Sequence, residues 1–343
     1  MSILNVNKIN PVGGGSTITI AGIASVTSSV TAPSFVGAVT GNVTGNVTGN
    51  SDTASGLSGT PSINTTGIVT APSFVPTVGQ LSHRNLIING ACLVQQRSSS
   101  GSATNGYATV DRFQTANAGN DEMPTQGSFG VSPPGAFHLP TTGPHPYKEG
   151  FRKAFGVTNG NQTSGAGAGD YIKVVNKLEA QDIANSGWDY TSASSFITLS
   201  YWVKSSVAQT FFVRVTSLDS SVYNFPFSYA VSANTWTKVT KAIPGNSNLV
   251  FNNDNGVGLD IEWTLFRGTD STGSGATLDT WAAYDSSQRQ PDNTSTWYTT
   301  NDATWEITGV QLEVGSVATP FEHRSFGEEL TRCHRYYQKL SGA

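Results

Sequence analysis

Alternating apolar and polar residues predict a series of β-strands in the second half of the chain. Such alternation places successive side chains on opposite faces of a strand, so that one face is buried and the other meets solvent. The clearest example is 259–265, in which Leu259, Ile261, Trp263 and Leu265 share one face. The other predicted strands of this series are 196–203, 211–216, 222–229, 235–243 and 305–314. Together they predict an antiparallel two-sheet jelly roll.

The last of these strands is predicted to change its inward face at Gly309. Trp305 and Ile307 occupy alternate positions before this glycine, whereas Val310 and Leu312 occupy the opposite set of positions after it. One extra residue in a strand shifts the alternation in this way, and glycine is common at such β-bulges. We therefore expect a bulge at Gly309.

The chain before residue 170 has weaker patterns. Residues 85–90 form a short apolar run that predicts a strand, and 150–157 predict another. The rest of 114–169 is rich in Gly, Pro, Asn and Ser, which is typical of loops. The all-β jelly-roll domain is accordingly predicted to span 83–324.

The end of the chain, 325–343, predicts a short amphipathic α-helix. Ser325 and Glu328 have the spacing of a capping box, in which each side chain accepts a hydrogen bond from the other residue's backbone N–H. Apolar side chains then recur at steps of three and four residues, at Phe326, Leu330, Cys333, Tyr337 and Leu340. This stripe is expected to pack either on the jelly roll or on neighbouring subunits.

The first 82 residues have a different pattern, with the unit Val-Thr-Gly-Asn repeated three times in 39–50. As a strand, this stretch carries Thr and Asn on one face and alternating Val and Gly on the other. The predicted packing residues of the second face are Val39, Gly41, Val43, Gly45, Val47 and Gly49. Because glycine lets another backbone approach closely, this face is suited to packing against copies of itself. A disordered linker is the alternative.

A longer repeat supports a fibre, because 30–36 recurs unchanged as 69–75. Residues 1–82 contain just two charged and two aromatic side chains, so one copy buries too little apolar area to offset its conformational entropy. We therefore predict an N-terminal docking segment at 1–30 and an extended fibre shaft at 31–82. The expected assembly is an intertwined homotrimer, in which three copies complete one another.

The composition narrows the possible functions. Charged residues make up 12% of the chain and the net charge is −4, so nucleic acid is not an expected partner. The sequence has no long apolar run that would predict a membrane span, and its first residues lack the pattern of a secretion signal. The two cysteines, Cys92 and Cys333, lie far apart in the sequence, which favours reduced thiols in a protein made in a cytoplasm.

Candidate catalytic and metal sites are few. None of the five histidines has the spacing of a metal-binding motif, and no cofactor is predicted. Asp260 and Glu262 share the outward face of one strand; paired carboxylates can cleave glycosides, but outward acids on a strand are usually solvated. We therefore expect no catalytic residue and no enzyme activity. Residues 252–256 suit either a calcium ion or a tight turn held by Asn and Asp side chains.

Aromatic residues in a long loop, 268–302, suggest a carbohydrate site, because sugars stack on exposed rings beside amide and carboxylate groups. The candidates are Trp281, Tyr284, Asp285, Arg289, Trp297 and Tyr298. Among them, Trp297 and Tyr298 are the preferred sugar contacts, whereas Trp281 is better suited to anchoring the loop. Packing against a neighbouring subunit is the alternative role for Trp297 and Tyr298.

Several segments resemble the C-terminal module of virion fibre proteins from tailed bacteriophages, notably marine cyanophages. The most specific is Ile-Thr-Gly-Val-Gln-Leu-Glu-Val-Gly at 307–315, followed by Ala-Thr-Pro-Phe-Glu-His-Arg at 318–324. The other matching segments are 84–90, 110–113, 197–206, 234–239 and 328–337. This resemblance, over roughly 84–340, implies a trimeric fibre with a carbohydrate-binding-type jelly roll and without catalytic residues.

The expected function is that of a structural virion fibre protein that displays its jelly roll for attachment to a host-surface glycan. Its expected partners are its own copies, host polysaccharide, and other virion proteins bound through the N-terminus. Its expected location is the virion, assembled in the host cytoplasm. The alternatives are a purely structural connector of the head, neck or baseplate, and a polysaccharide depolymerase. The sequence leaves open whether the fibre belongs to the tail, neck, baseplate or capsid.

Overall fold

The computed structural model describes residues 83–98, 100–135, 143–292 and 296–340, and within them the chain forms two sheets whose strands all pair antiparallel. The six-stranded sheet contains, in spatial order, β1 (Gln114–Ala118), β4 (Tyr171–Glu179), β9 (Val257–Arg267), β6 (Gln209–Ser217), β7 (Tyr223–Val231) and β10 (Ala282–Ala283). The five-stranded sheet contains β2 (Thr125–Gly130), β3 (Lys153–Thr158), β11 (Thr304–Val314), β5 (Phe196–Ser205) and β8 (Thr237–Pro244). The predicted all-β sandwich of two antiparallel sheets is confirmed.

The core lies between the two sheets and is built from the inward positions of the strands. Leu259, Ile261, Trp263 and Leu265 of β9 are fully buried, as their alternation predicts. The Tyr201 ring of β5 meets the Trp263 ring edge-on, with centroids 5.7 Å apart. Each large apolar side chain buried in this way stabilises the fold by about 1.5–3 kcal/mol. The polar residues between these positions must therefore face away from the core.

A second apolar cluster covers the outer face of the five-stranded sheet. Its buried members are Ala91, Val131, Phe151, Ala154, Trp202 and Trp236. Gly309 of β11 contacts this cluster in a left-handed conformation, with φ of 63°, and the register of β11 shifts between Thr308 and Gln311. A Cβ atom at Gly309 would lie 2.7 Å from the Phe151 ring, so both the backbone and the packing require glycine. The predicted bulge is confirmed.

The strand predicted at 85–90 is absent, and residues 88–91 form a turn instead. Asn89 adopts a positive φ of 62°, and its side-chain amide donates to two backbone carbonyls. Asn85 donates its side-chain N–H to the Val310 carbonyl at 3.1 Å, which holds the turn against β11. Ile87 is buried by this packing. The apolar run therefore marks a buried turn, in which side-chain hydrogen bonds supplement two backbone bonds to β11, from the Leu86 N–H to Leu312 and from the Val310 N–H to Gly90.

Four strands and one α-helix lie outside the elements that the sequence pattern predicts, and the shortest strand, β10, falls in the long loop expected at 268–302. The strands β1 and β2 fall in the stretch expected to be mostly loop, and β4 and the five-residue α1 (Ala180–Ala184) follow it. The edge strand β1 pairs with β4 over five residues, and β4 pairs with β9 on its other side. This long-range pairing overrides the weak strand propensity of Gly, Asn and Ser.

The helix α2 (Phe326–His334) begins at its predicted cap, where the Ser325 hydroxyl accepts a hydrogen bond of 3.2 Å from the Glu328 backbone N–H. Among the described residues, neither this helix nor α1 has the length and apolar character needed to cross a bilayer.

The C-terminal segment packs on the sandwich through part of its apolar stripe. Cys333 is buried, whereas Phe326 and Leu340, at the two ends of the stripe, are largely exposed. Beyond the helix, the Arg335 guanidinium donates two hydrogen bonds of 2.7 and 2.8 Å to the Glu179 carboxylate of β4. The Arg335–Glu179 ion pair thus adds to the small apolar contact at Cys333 in holding the C-terminal segment on the sandwich.

Both cysteines are free and buried. Burial raises the pKa of the Cys92 and Cys333 thiols to about 12 in each case. Because the thiolate is the reactive form, both residues are packing residues in this fold.

Candidate functional site

Charged side chains occupy the centre of the outer face of the six-stranded sheet. In β9, the alternation that sends Trp263 inwards sends Asp260 and Glu262 outwards. The register places Arg214 of β6 opposite Glu262, and Lys177 of β4 opposite Asp260. We refer to the following residues as the charged face: Lys173, Lys177, Arg214, Asp260, Glu262 and Arg267.

Glu262 is the centre of the charged face and is only 1% exposed. Its Oε2 atom accepts from Lys173 Nζ at 2.8 Å and from Arg214 Nη2 at 2.7 Å, and Arg267 donates to its Oε1 atom. Burial by itself raises the pKa of this carboxyl, but the three cations outweigh burial and hold the pKa well below its ordinary value. Glu262 is therefore an ionised, fully engaged carboxylate, which corrects the expectation of a solvated surface acid.

Asp260 has the opposite environment. Its Oδ1 atom is buried without a hydrogen-bond partner, and the residue forms no ion pair within the described part of the chain. Burial raises the pKa of Asp260 to about 6, and the negative charge of Glu262 contributes to the increase. Leaving a buried acceptor unpaired costs about 1–3 kcal/mol. Asp260 is therefore well placed to accept a hydrogen bond from a bound molecule.

Three arginines at this face also have an unused donor. The Nε–H groups of Arg214, Arg267 and Arg289 are buried and have no acceptor among the described residues. Arg214 and Arg267 are only 9% and 3% exposed, so few waters reach them. Buried polar groups normally find a partner in the protein, in ordered water or in a ligand. The face can therefore bind a ligand that is rich in oxygen acceptors.

Two of the predicted site residues, Tyr284 and Arg289, lie at the rim of the charged face. Tyr284 follows β10 and is 40% exposed. Its ring centroid lies 5.8 Å from the guanidinium carbon of Arg214 and 5.5 Å from that of Arg289. The structure thus brings an exposed ring next to buried charges, an arrangement suited to sugar binding.

Asp285, the next predicted residue, is exposed on the same loop, but its carboxylate forms hydrogen bonds within that loop. Its Oδ1 atom accepts hydrogen bonds from the Ser287 N–H at 2.8 Å and from the Ser287 hydroxyl at 2.7 Å. Both hydrogen bonds lower the pKa of Asp285, and the bond from the Ser287 hydroxyl has the larger effect. Asp285 therefore stabilises a turn beside the rim.

The remaining predicted site residues, Trp281, Trp297 and Tyr298, are buried. Trp281 donates its indole N–H to the Pro244 carbonyl at 2.7 Å, a contact that suits the anchoring role preferred for it. Trp297 is fully buried, and the Tyr298 ring stacks on Phe266 with centroids 4.0 Å apart. None of the three presents the exposed ring that sugar stacking requires, which corrects the expectation drawn from the loop sequence.

A cavity of about 270 Å³ opens at the Lys177 end of the charged face. In its wall, the Arg112 guanidinium carbon lies 3.5 Å from the ring centroid of Tyr336, and that of Arg97 lies 3.8 Å from the ring centroid of Tyr337. Arg97 is neutralised by an ion pair of 2.7 Å, whereas Arg112 forms none within the described residues. The cavity therefore combines aromatic surface with an uncompensated cation.

The candidate calcium loop, 252–256, is held by hydrogen bonds of its own. Asp254 Oδ1 accepts from the Gly256 N–H at 2.9 Å, and the Asn253 side chain accepts from Asn185 at 2.8 Å. Across the described ranges, no group of three or more His, Cys, Asp or Glu side chains is arranged to hold a metal ion. The tight-turn alternative is thus sufficient to account for this loop.

The predicted packing residues of the shaft lie outside the described residues. They are Val39, Gly41, Val43, Gly45, Val47 and Gly49. The segments 1–30 and 31–82 also lie outside, so the shaft and the homotrimer stay predictions.

Sequence reasoning misses most of the charged face. The alternation in β4 places Lys173 and Lys177 on one face, and Arg214 interrupts the apolar run of β6, so each cation leaves a local signal. That signal predicts an outward cation but does not identify its partner. The convergence on Glu262 depends on the register between strands that are distant in sequence.

Comparison with known proteins gives limited information. No protein-family model and no curated protein sequence matches the chain. The enzymatically active domain of tailspike protein 4 from bacteriophage CBA120 aligns with 67% of this chain and 21% of its own, at 9% identity and a TM-score of 0.33. The N-terminal cellulose-binding domain of Cellulomonas fimi β-1,4-glucanase C aligns with 66% of this chain and 99% of its own, at 12% identity and a TM-score of 0.29.

The family 11 carbohydrate-binding module from Clostridium thermocellum aligns with 61% of this chain and 91% of its own, at 10% identity and a TM-score of 0.25. This chain covers about a fifth of the length of the tailspike. At these scores, none of the three alignments bears on function.

Proposed function

We propose that this protein is a structural fibre component of a tailed-phage virion, and that its β-sandwich binds a host-surface glycan at the charged face. The fibre role is supported by the sequence resemblance over roughly 84–340 and by the repeats before it. The glycan role is supported by one observation above all: buried charges with unused hydrogen-bond groups lie beside the exposed ring of Tyr284.

The chemistry of the charged face matches that of a sugar. Sugar hydroxyls both donate and accept hydrogen bonds; Asp260 can accept, and the Nε–H groups of Arg214 and Arg267 can donate. The Tyr284 ring offers an apolar surface for the C–H face of a sugar ring. Glu262 fixes the two arginines before a ligand arrives, which lowers the entropic cost of binding.

Binding without cleavage is the proposed outcome, because the carboxylates of Asp260 and Glu262 do not form a pair that can catalyse hydrolysis. Glycoside hydrolysis requires one carboxyl as acid and a second as nucleophile or base. Glu262 is engaged by three cations, so its oxygen atoms are not free to attack a sugar or a water molecule. Asp260 alone cannot fill both roles. A polysaccharide depolymerase is therefore the less well supported alternative.

Three copies in one fibre would present three such faces, and simultaneous attachment would raise the overall affinity without any new contact. A purely structural connector is the second candidate, because the saturated ion pairs of Glu262 also suit a role in stability alone. The two candidates differ in whether the charged face contacts another molecule.

The test is the binding of full-length protein to envelope polysaccharide from susceptible cells, measured by surface plasmon resonance. Tyr284→Ala is expected to weaken binding about tenfold, because the ring stacks on sugar. Phe326→Ala removes another exposed ring, on α2, and is expected to leave binding unchanged. Absence of wild-type binding would favour the structural connector, whereas equal binding by Tyr284→Ala would show that the glycan does not bind at the charged face.

Two further observations separate the remaining alternatives. Release of reducing ends from the polysaccharide would identify a depolymerase. Antibody labelling in micrographs of the virion is expected to mark a tail fibre; label on the capsid would contradict the role in tail-mediated attachment.

A further inference from the structure

We infer that the glycan bound at the charged face is acidic, with carboxylate or sulfate groups along its chain, an inference that rests on the proposed function. The first reason is the balance of charge. The cations on and beside the face are Arg112, Lys173, Lys177, Arg214, Arg267 and Arg289. The carboxylates of the face are Asp260 and Glu262, so the cations are in clear excess.

Neighbouring acids do not cancel this excess. Asp111, in the cavity wall, is paired with Arg97 at 2.7 Å. Glu179, also in that wall, is paired with Arg335 at 2.7 Å. Each of these carboxylates is neutralised by an arginine outside the set of six. Asp182, near Arg112, and Asp285, beside the rim, form no ion pair within the described residues and offset part of the excess. The positive potential of the charged face and its cavity is therefore reduced but not cancelled.

The free cations lie at both ends of the Glu262 cluster. Within the described chain, Arg112 and Lys177 form no ion pair at the cavity end, and Arg289 forms none at the Tyr284 end. Lys173 and Lys177 lie four residues apart on one face of β4, which corresponds to about 13 Å. A polymer with charges on successive sugar rings can meet cations spread in this way.

The unused hydrogen-bond groups also favour an anion. Three buried Nε–H donors at this face lack an acceptor, whereas one buried carboxylate oxygen, Asp260 Oδ1, lacks a donor. Carboxylate and sulfate groups only accept hydrogen bonds, whereas neutral hydroxyls bring a donor with each acceptor. The excess of donors over acceptors therefore matches an acidic sugar, and hydrogen bonds between arginine and an anion are the stronger kind.

The whole chain does not attract polyanions in general, because its net charge is −4. Affinity for an acidic polymer must therefore come from a local feature. A variant that removes cations of the charged face alone should therefore abolish the attraction to acidic polymers, while the net charge of the protein stays negative.

The experiment measures binding of the full-length protein to three polymers: polygalacturonate, which carries carboxylates; dextran sulfate, which carries sulfates; and neutral dextran. The test variant combines Lys177→Gln and Arg289→Gln, because neither residue has an ion-pair partner that its removal would leave unpaired. The matched control is Lys153→Gln, an exposed lysine of β3 in the other sheet. Tryptophan fluorescence verifies that each variant is folded.

The wild type is expected to bind at least one acidic polymer about tenfold more tightly than dextran, with a preference that weakens as salt is added. The double variant is expected to lose most of this preference and the control to keep it. The better of the two acidic polymers identifies the anionic group.

Equal or tighter binding of dextran would overturn the acidic inference while leaving glycan binding intact. Failure to bind all three polymers would count against the proposed function as well. Equal binding to a single-stranded oligodeoxynucleotide, or equal loss of preference in Lys153→Gln, would show unspecific attraction of polyanions and would also overturn the inference.

Discussion

Replacing Asp260 by asparagine is expected to stabilise the protein above pH 6. Burial, reinforced by the charge of Glu262, raises the pKa of Asp260 from its ordinary 3.8 to about 6. The ionised form is therefore penalised in the folded protein but not in the unfolded chain. Asparagine has almost the same shape as aspartate and never ionises, so the variant removes this penalty and leaves the packing intact.

The magnitude follows from the difference between the two pKa values. A difference of about 2 units corresponds to about 3 kcal/mol at pH 8, because each unit is worth about 1.4 kcal/mol. Between pH 3.8 and about 6, the folded protein binds more protons than the unfolded chain, so wild-type stability falls as the pH rises through this window. Near pH 4 the folded protein holds the proton and the unfolded chain is only about half ionised, so the variant gains less than about 1 kcal/mol.

The assay is urea unfolding of the full-length protein at pH 4 and pH 8, followed by tryptophan fluorescence. All seven tryptophans lie between residues 188 and 305, so the signal reports on the sandwich. Asp302→Asn serves as the control, because Asp302 is exposed and sits in a left-handed conformation that asparagine tolerates.

A gain in the free energy of unfolding that is confined to pH 8 would support the electrostatics of the charged face. The reasoning is refuted if Asp260→Asn destabilises the protein at pH 8, since Asp260 would then be an ionised partner of the lysines. An equal effect at both pH values would also refute it.

Three other outcomes are expected. Gly309→Ala should lower the free energy of unfolding by about 2–4 kcal/mol in the same urea assay, because its Cβ would meet the Phe151 ring and its φ is positive; an unchanged value would contradict the bulge. Hydrogen bonds from Arg335 lower the pKa of Glu179 to about 2, so the pair stabilises the C-terminal segment above pH 4.5 and loses that effect as the pH falls towards 2. Glu179→Gln should therefore speed proteolysis beyond α2 at pH 7, whereas an unchanged rate would show that the anchor is dispensable. The full-length protein should have the native mass of three 36.1 kDa chains, and a monomeric mass would contradict the homotrimer.

The sequence predicts the half-buried strands well, because alternation records burial directly. In β9 the inward residues Leu259 and Trp263 identify both the strand and its buried face. The bulge at Gly309 is predictable for the same reason, since the alternation changes phase there. The turn at 88–91 is not, because an apolar run has no period that distinguishes a strand from a buried turn.

The candidate site is predictable only in part. An outward Glu262 in a solvated face and an outward Glu262 among three cations have the same local pattern, and only the pairing of β4, β6 and β9 distinguishes them. For the aromatic residues of the loop 268–302, the sequence likewise does not distinguish an exposed ring from a buried one. Tyr284 is exposed and Trp297 is buried, although both belong to one polar loop, because tertiary packing decides which rings turn inwards.

The measurement that tests the central claim most directly is a crystal structure of the full-length protein with an oligosaccharide fragment of the polymer it binds best. The ligand is predicted to lie on the charged face, with oxygen atoms about 3 Å from the Lys177 ammonium or the Arg289 guanidinium and one sugar ring against Tyr284. A ligand bound at the five-stranded sheet, or along the loop beside the buried Trp297, would contradict this account.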